Sequence, residues 1–177
     1  LTRRQRQMCI RDSPIILLHE SNFKNKKHFD QTELILDSGA DRSLISQDII
    51  AGFDKNIMKW GKLHNISQSR TASGSEIKLL PRMIDLKLTT QTNKIIHMKN
   101  VLVMESGNNF VKGQILLGWS DFLANKIEIK FSKNTPVPKI SVDSECINYR
   151  ATKTTEEDRD SDLSSVLTQS TELSDEC

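Results

Sequence analysis

Residues 33–46, ELILDSGADRSLIS, decide how this chain is read. The apolar run Leu34-Ile35-Leu36 ends in an acid, Asp37, followed by the hydroxyl of Ser38, a glycine at 39 and the small Ala40. A short apolar run bounded by turn residues reads as a buried strand. A carboxylate at the end of such a strand is costly unless it is paired or hydrogen-bonded. Gly39 permits a tight turn and the close approach of another backbone, and Ser38 can bond locally. Asp, Ser and Gly are also ordinary turn formers, so the stretch alone fits a capped strand end as well as an acid held at the mouth of a site. Its surroundings separate the two.

Outward from this stretch, residues 14–131 read as short strands divided by turn signals. PIILL at 14–18 and QILLG at 114–118 are apolar runs of the buried type, like ELILD itself. SEIKLL (75–80), MIDLKLTT (83–90) and KIEIKF (126–131) alternate with period two, and IIHMKNVLVM (95–104) returns after the polar turn QTNK. Helical signal is scant. SQDIIAGF (46–53) is short, and SDFLANK (120–126) makes at most two turns, with Ser120 as the expected N-cap. The fold class is therefore mainly β with one short C-terminal helix.

Beyond Phe131 the composition changes to the proline-containing SKNTPVPKISV and then to a Ser/Thr/acid-rich run. From Arg150 onward three basic residues face eight acidic ones, a net charge of −5, whereas residues 14–149 hold 18 basic and 14 acidic side chains, net +4. A segment of that kind buries too little apolar surface to offset its ordering entropy. Residues 136–177 are accordingly expected to be a polar, disordered linker or tail, and residues 14–135 the folded domain. Residues 1–13, LTRRQRQMCIRDS, lack the apolar core of a signal peptide and resemble the translation of a transposase-type sequencing-library adapter. Without them the formal charge moves from +2 to −1, with 21 basic and 22 acidic residues, and a nucleic-acid reading built on the basic start loses its footing.

No apolar run approaches the ~20 residues that span a bilayer, so no membrane role is expected. The three cysteines, Cys9, Cys146 and Cys177, form no CxxC pair, and the four histidines are scattered. That spacing suggests neither a disulfide framework nor a metal site, and no cofactor is expected.

LILDSGADRSLIS resembles the catalytic segment of the retropepsins, the aspartic proteases of retroviruses and retrotransposons: apolar residues, Asp, Ser or Thr, Gly, then Ala or Ser. About eighty residues on, QILLGWSDFLANKIEIKF resembles the family's second hallmark, an apolar triplet ending in Gly, an Asp or Asn, a short helix and a closing strand. RTASGSEIKLLPRMIDLKL, between them, resembles its glycine-tipped flap hairpin. The resemblance covers residues 15–131. It implies a single-lobe closed β-barrel of the acid-protease type, active as a homodimer, because one chain carries one DSG and the second aspartate must come from a second copy.

The resemblance also implies roles. Asp37 is the catalytic acid, Ser38 and Gly39 support the loop, and Gly39, Ala40 and Asp41 contact substrate. Ala72, Ser73 and Gly74 form the flap, and Leu116 and Leu117 wall the pocket, although plain core packing explains the leucines equally well. Two carboxylates about 3 Å apart repel by ~5 kcal/mol at an effective dielectric near 20, so the pair shares one proton. Its implied partners are a second copy and a peptide or polyprotein substrate, in the cytoplasm or a virus-like particle, with no nucleic acid bound by this domain. Two alternatives stand beside this one: a host-domesticated protease, and a catalytically decayed dimerisation or peptide-binding module. The last is favoured by one departure from the pattern, Trp119-Ser120 where one residue, often Arg, precedes the Asp. Trp119 cannot brace the loop acids as an arginine does, which leaves Arg42 as a candidate brace for Asp41.

Overall fold

The computed structural model of the chain describes residues 13–70, 74–106 and 113–151. In chain order the elements are β1 (Pro14–Ile16), α1 (Lys26–Asp30), β2 (Glu33–Leu36), β3 (Leu44–Ser46), α2 (Gln47–Ile50), β4 (Met58–Leu63), β5 (Gln68–Arg70), β6 (Glu76–Lys78), β7 (Arg82–Thr89), β8 (Ile95–Met104), β9 (Gln114–Leu117), α3 (Trp119–Ala124), β10 (Ile127–Ser132), β11 (Thr135–Val142), β12 (Glu145–Cys146) and β13 (Tyr149–Ala151). The molecule is mainly β, as the alternating patterns require.

One eight-stranded sheet runs β13-β1-β2-β9-β3-β8-β7-β4. Its neighbours are antiparallel except β2 with β9 and β3 with β8, which are parallel, so the two middle crossovers place β9 between β2 and β3. A three-stranded sheet, β10-β11-β12, and the hairpin β5-β6 complete the strands.

Strand alternation divides the apolar residues between two clusters on opposite faces. Leu34, Leu36, Ile45, Val101, Val103, Ile115 and Leu117 point into the main core, where Ile127, Ile140, Val142 and Ile147 of the smaller sheet and its turn meet them. Leu44, Leu102 and Met104 point the other way and join Ile77, Leu79 and Met83. The middle of the sheet is thus covered on both faces, which explains why VLVM at the end of β8 reads as a continuous apolar run rather than an alternating one.

The sheet is not a closed barrel. It curls until Leu18, just past β1, forms an isolated antiparallel bridge with Thr90, just past β7, but no continuous ladder joins β1 to β7. The side chain of Asn22, fully buried, bonds the carbonyls of His19 and Thr89 at 2.7 Å each and accepts the Thr89 amide at 2.8 Å. One amide thereby stands in for the ladder bonds that a further strand would supply.

The folded unit does not end at residue 135. β11 pairs along β10, and β13 pairs antiparallel with β1, so residues 136–151, expected in the tail, belong to the domain. The prolines misled because Pro138 lies where β12 does not reach: β12 pairs only with Ser141 and Val142, leaving the earlier part of β11 with one neighbour, a setting that tolerates a missing N–H. The tail beyond residue 151 and the segment 1–12 lie outside the described residues. Cys146 is disulfide-bonded, a link that the cysteine spacing did not suggest.

Candidate active site

Asp37 sits half-buried at the carboxyl end of β2. Its amide donates to the Leu117 carbonyl at 3.0 Å, extending the β2–β9 pairing by one residue, and the chain then turns, with the Ala40 amide donating to the Asp37 carbonyl at 3.2 Å. The Asp37 Oδ1 accepts the Gly39 amide at 2.9 Å. A Cβ on residue 39 would stand 3.3 Å from that same oxygen, so glycine is the residue that fits without crowding the acid. Ser38, Gly39 and Asp41 are exposed and Ala40 is half-buried.

The loop is tied down from behind by the start of α3. The Trp119 amide donates to the Ala40 carbonyl at 2.7 Å and the Ser120 amide to the Asp41 carbonyl at 3.3 Å. Helix α3 begins at Trp119, two residues earlier than a Ser120 cap implies. Gly118 holds the cap position and has no side chain to cap with; the first amides of the helix, those of Trp119 and Ser120, bond the loop carbonyls instead. A Cβ at Gly118 would fall 2.4 Å from the Arg42 carbonyl carbon and 2.8 Å from the Ser43 amide nitrogen, so only glycine lets these two backbones touch.

Beneath this contact lies a buried polar knot. The Ser43 hydroxyl donates to Asp121 Oδ2 at 2.5 Å and accepts the Gly118 amide at 3.0 Å. The other oxygen, Asp121 Oδ1, accepts the Lys99 amide at 3.0 Å. Asp121 is 3% exposed, so its charge is neutralised by oriented donors rather than by water. Asn125 closes the knot, donating to the carbonyls of His97 and Asp121 and accepting the His97 amide. The Lys99 amide is free to turn inward because β8 bulges there. Ile84 opposes Val101 and Leu86 opposes Met98, which leaves one extra residue on β8, and Asn100 takes up a φ of 53°.

Arg42 does not brace Asp41. Its guanidinium donates to the Met83 sulfur at 3.0 Å and the Asn100 carbonyl at 3.1 Å, and among the described residues Asp41 makes no ion pair. The two leucines part company. Leu117 is fully buried in the main core and so does not wall a pocket, a correction that follows from strand alternation; half-buried Leu116 packs on the opposite cluster. That cluster includes Ile77 and Leu79 at the base of the β5–β6 hairpin. The hairpin pairs Gln68 with Lys78 and Arg70 with Glu76, and Gly74, at φ 87°, has open space around it. Ala72 and Ser73 lie outside the described residues.

The exposed loop fixed to β9 and α3 therefore carries two carboxylates, half-buried Asp37 at the end of β2 and exposed Asp41. Among the described residues no group of three or more His, Cys, Asp or Glu could hold a metal ion, and no helix is long and apolar enough to cross a membrane. Sequence reasoning missed Ser43, Asn125 and the bulged Lys99 amide. The one available signal was a hydroxyl directly before the apolar Leu44-Ile45. No protein-family model, curated protein or solved structure matches the chain.

Proposed function

We propose that the chain is an aspartic endopeptidase of the retropepsin type, hydrolysing peptide bonds in a polyprotein through a pair of Asp37 residues, one from each copy in a homodimer. The observation that carries the reading is the tethering of the Asp37 loop. Backbone bonds from Asp37, Trp119 and Ser120 hold an exposed carboxylate turn against the interior, so that the acid is positioned rather than merely present. A two-fold axis beside the loop would bring the two carboxylates together and make one water-filled site from two half-sites.

In that arrangement one proton is shared, since both acids cannot stay ionised at about 3 Å. The ionised carboxylate takes a proton from a water as its oxygen attacks the scissile carbonyl carbon, and the protonated one donates to the carbonyl oxygen. Proton transfer to the departing amine then breaks the C–N bond. The glycine-tipped β5–β6 hairpin supplies the cover that excludes bulk water. The extra residue in Trp119-Ser120 argues for the decayed alternative. Against it, Asp121 is seated and fully bonded in spite of that residue, with α3 starting two positions before a Ser120 cap would start it.

The test is cleavage of a peptide library by the full chain between pH 4 and 7, wild type against Asp37→Asn. Cleavage is expected to vanish in the variant while its unfolding free energy stays within about 0.5 kcal/mol, the ordinary range for a surface substitution. Specific activity should fall faster than linearly on dilution. Cleavage that survives the substitution would end the reading.

A further inference from the structure

A cavity of about 580 Å³, within the roughly 300–1,000 Å³ range of ligand sites, opens between the bulge of β8 and helix α3. Arg42, His97, Lys99, Ser120 and Asp121 are among the residues that line it. It adjoins the catalytic loop without including Asp37. Arg42 follows Asp41 directly, and the amide of Ser120, on the cavity wall, holds the Asp41 carbonyl.

The charges of that lining are unequal in availability. Asp121 is buried and both its oxygens are engaged, by the Lys99 amide and the Ser43 hydroxyl. The Lys99 side chain, in contrast, is exposed, because period two sends Ile96 and Met98 into the core and His97 and Lys99 outward. Arg42 is held in place by Met83 and Asn100 through one of its terminal nitrogens, Nη2. The formal charges of Arg42, Lys99 and Asp121 sum to +1. A monoanion neutralises that charge, whereas a dianion overshoots it.

We propose that this cavity binds the carboxylate of a Glu or Asp side chain of the substrate, on one flank of the scissile bond; the substrate part of this rests on the endopeptidase reading. A peptide running extended along Gly39–Asp41 is carried towards Arg42, the next residue of the loop, on one flank of the bond cut. Lys99 and Arg42 then select by charge and His97 supplies a polar edge. Because the Lys99 amide, not its side chain, holds Asp121, its side chain can be replaced without loosening the knot.

Two measurements on the full chain test this separately. In an NMR titration, N-acetylglutamate N-methylamide is expected to shift the amides of Lys99, Asn100 and Ser120, the glutamine analogue to bind about 1.5- to 5-fold more weakly, and Lys99→Gln to narrow the difference. Equal shifts from both analogues, no shift at these amides, or tighter binding of inorganic phosphate would overturn the assignment. In library cleavage, wild type should enrich Glu and Asp at one position and Lys99→Glu should shift that position towards Lys and Arg. Cleavage with no acidic preference, or one unchanged in Lys99→Glu, sinks the substrate role. A complete lack of cleavage removes the endopeptidase reading and its substrate with it, while the titration still decides whether the cavity takes a carboxylate.

Discussion

Replacing Ser43 by alanine removes one oxygen that makes two buried bonds, to Asp121 Oδ2 at 2.5 Å and from the Gly118 amide at 3.0 Å. Ser43 is 2% exposed and Asp121 3%, so solvent does not reach either orphaned group without a rearrangement. A hydrogen bond to a charged group contributes about 1.5–3 kcal/mol and a neutral one about 1 kcal/mol. The sum, about 2.5–4 kcal/mol, converts at roughly 2–4 °C per kcal/mol for a chain of this size into a Tm lower by about 5–16 °C. Thermal unfolding followed by circular dichroism measures it, with urea unfolding as the check that the slope, and hence the folded state's compactness, is unchanged. Because the knot also sets the start of α3, whose amides hold the Asp37 loop, Ser43→Ala should lose proportionately more cleavage activity than stability at a temperature where it is fully folded. Ser43→Thr keeps the hydroxyl and should recover most of the Tm. A Ser43→Ala variant melting within about 1 °C of wild type would refute the idea that this hydroxyl neutralises Asp121.

Gly118→Ala places a methyl 2.4 Å from a backbone carbon that cannot swing aside; the cost is about 1–3 kcal/mol of overpacking, read as a lower urea midpoint, and an unchanged midpoint would show that the contact yields freely. Burial pushes the Tyr149 hydroxyl above its ordinary value of 10.0. The unfolded chain therefore ionises first, so the stability that neutral Tyr149 contributes is intact below pH 10 and is lost as pH rises through the higher folded value. Tyr149→Phe, which gives up the bond to the Pro138 carbonyl, should be about 1 kcal/mol less stable near neutrality yet lose less on going above pH 10; parallel pH curves for the two proteins would contradict this.

What the sequence disclosed was whatever a single strand's pattern can encode. Leu86, Leu88, Ile96 and Met98 alternate because one face of β7 and β8 meets the core, and that alternation is visible without partners. β4 escaped notice because MKWGKL is a sheet-edge strand whose Trp60 and Leu63 stay exposed, leaving no contrast to read. β3 has three residues, all buried, since both its faces are covered, and so it shows no period at all. Around the site, Asp37 and Gly39 stood out because acid and glycine are unusual at the end of an apolar run. The residues that fix them did not: Ser43 meets Asp121 across 78 positions, and the Lys99 contribution comes from its backbone, which no side-chain pattern records.

The single bridge between Leu18 and Thr90 gives the molecule a seam. On either side of it the sheet is sewn by whole ladders, but across it the margins are held by separate bonds: the His19 and Gln91 amides, at 2.9 Å each, the Asn22 carboxamide and the Asn148–Gln91 side-chain pair. Under stress the molecule should part along that line first, the margins swinging away from the main core while the polar knot around Asp121, and the acid loop fastened to it, remain in one piece.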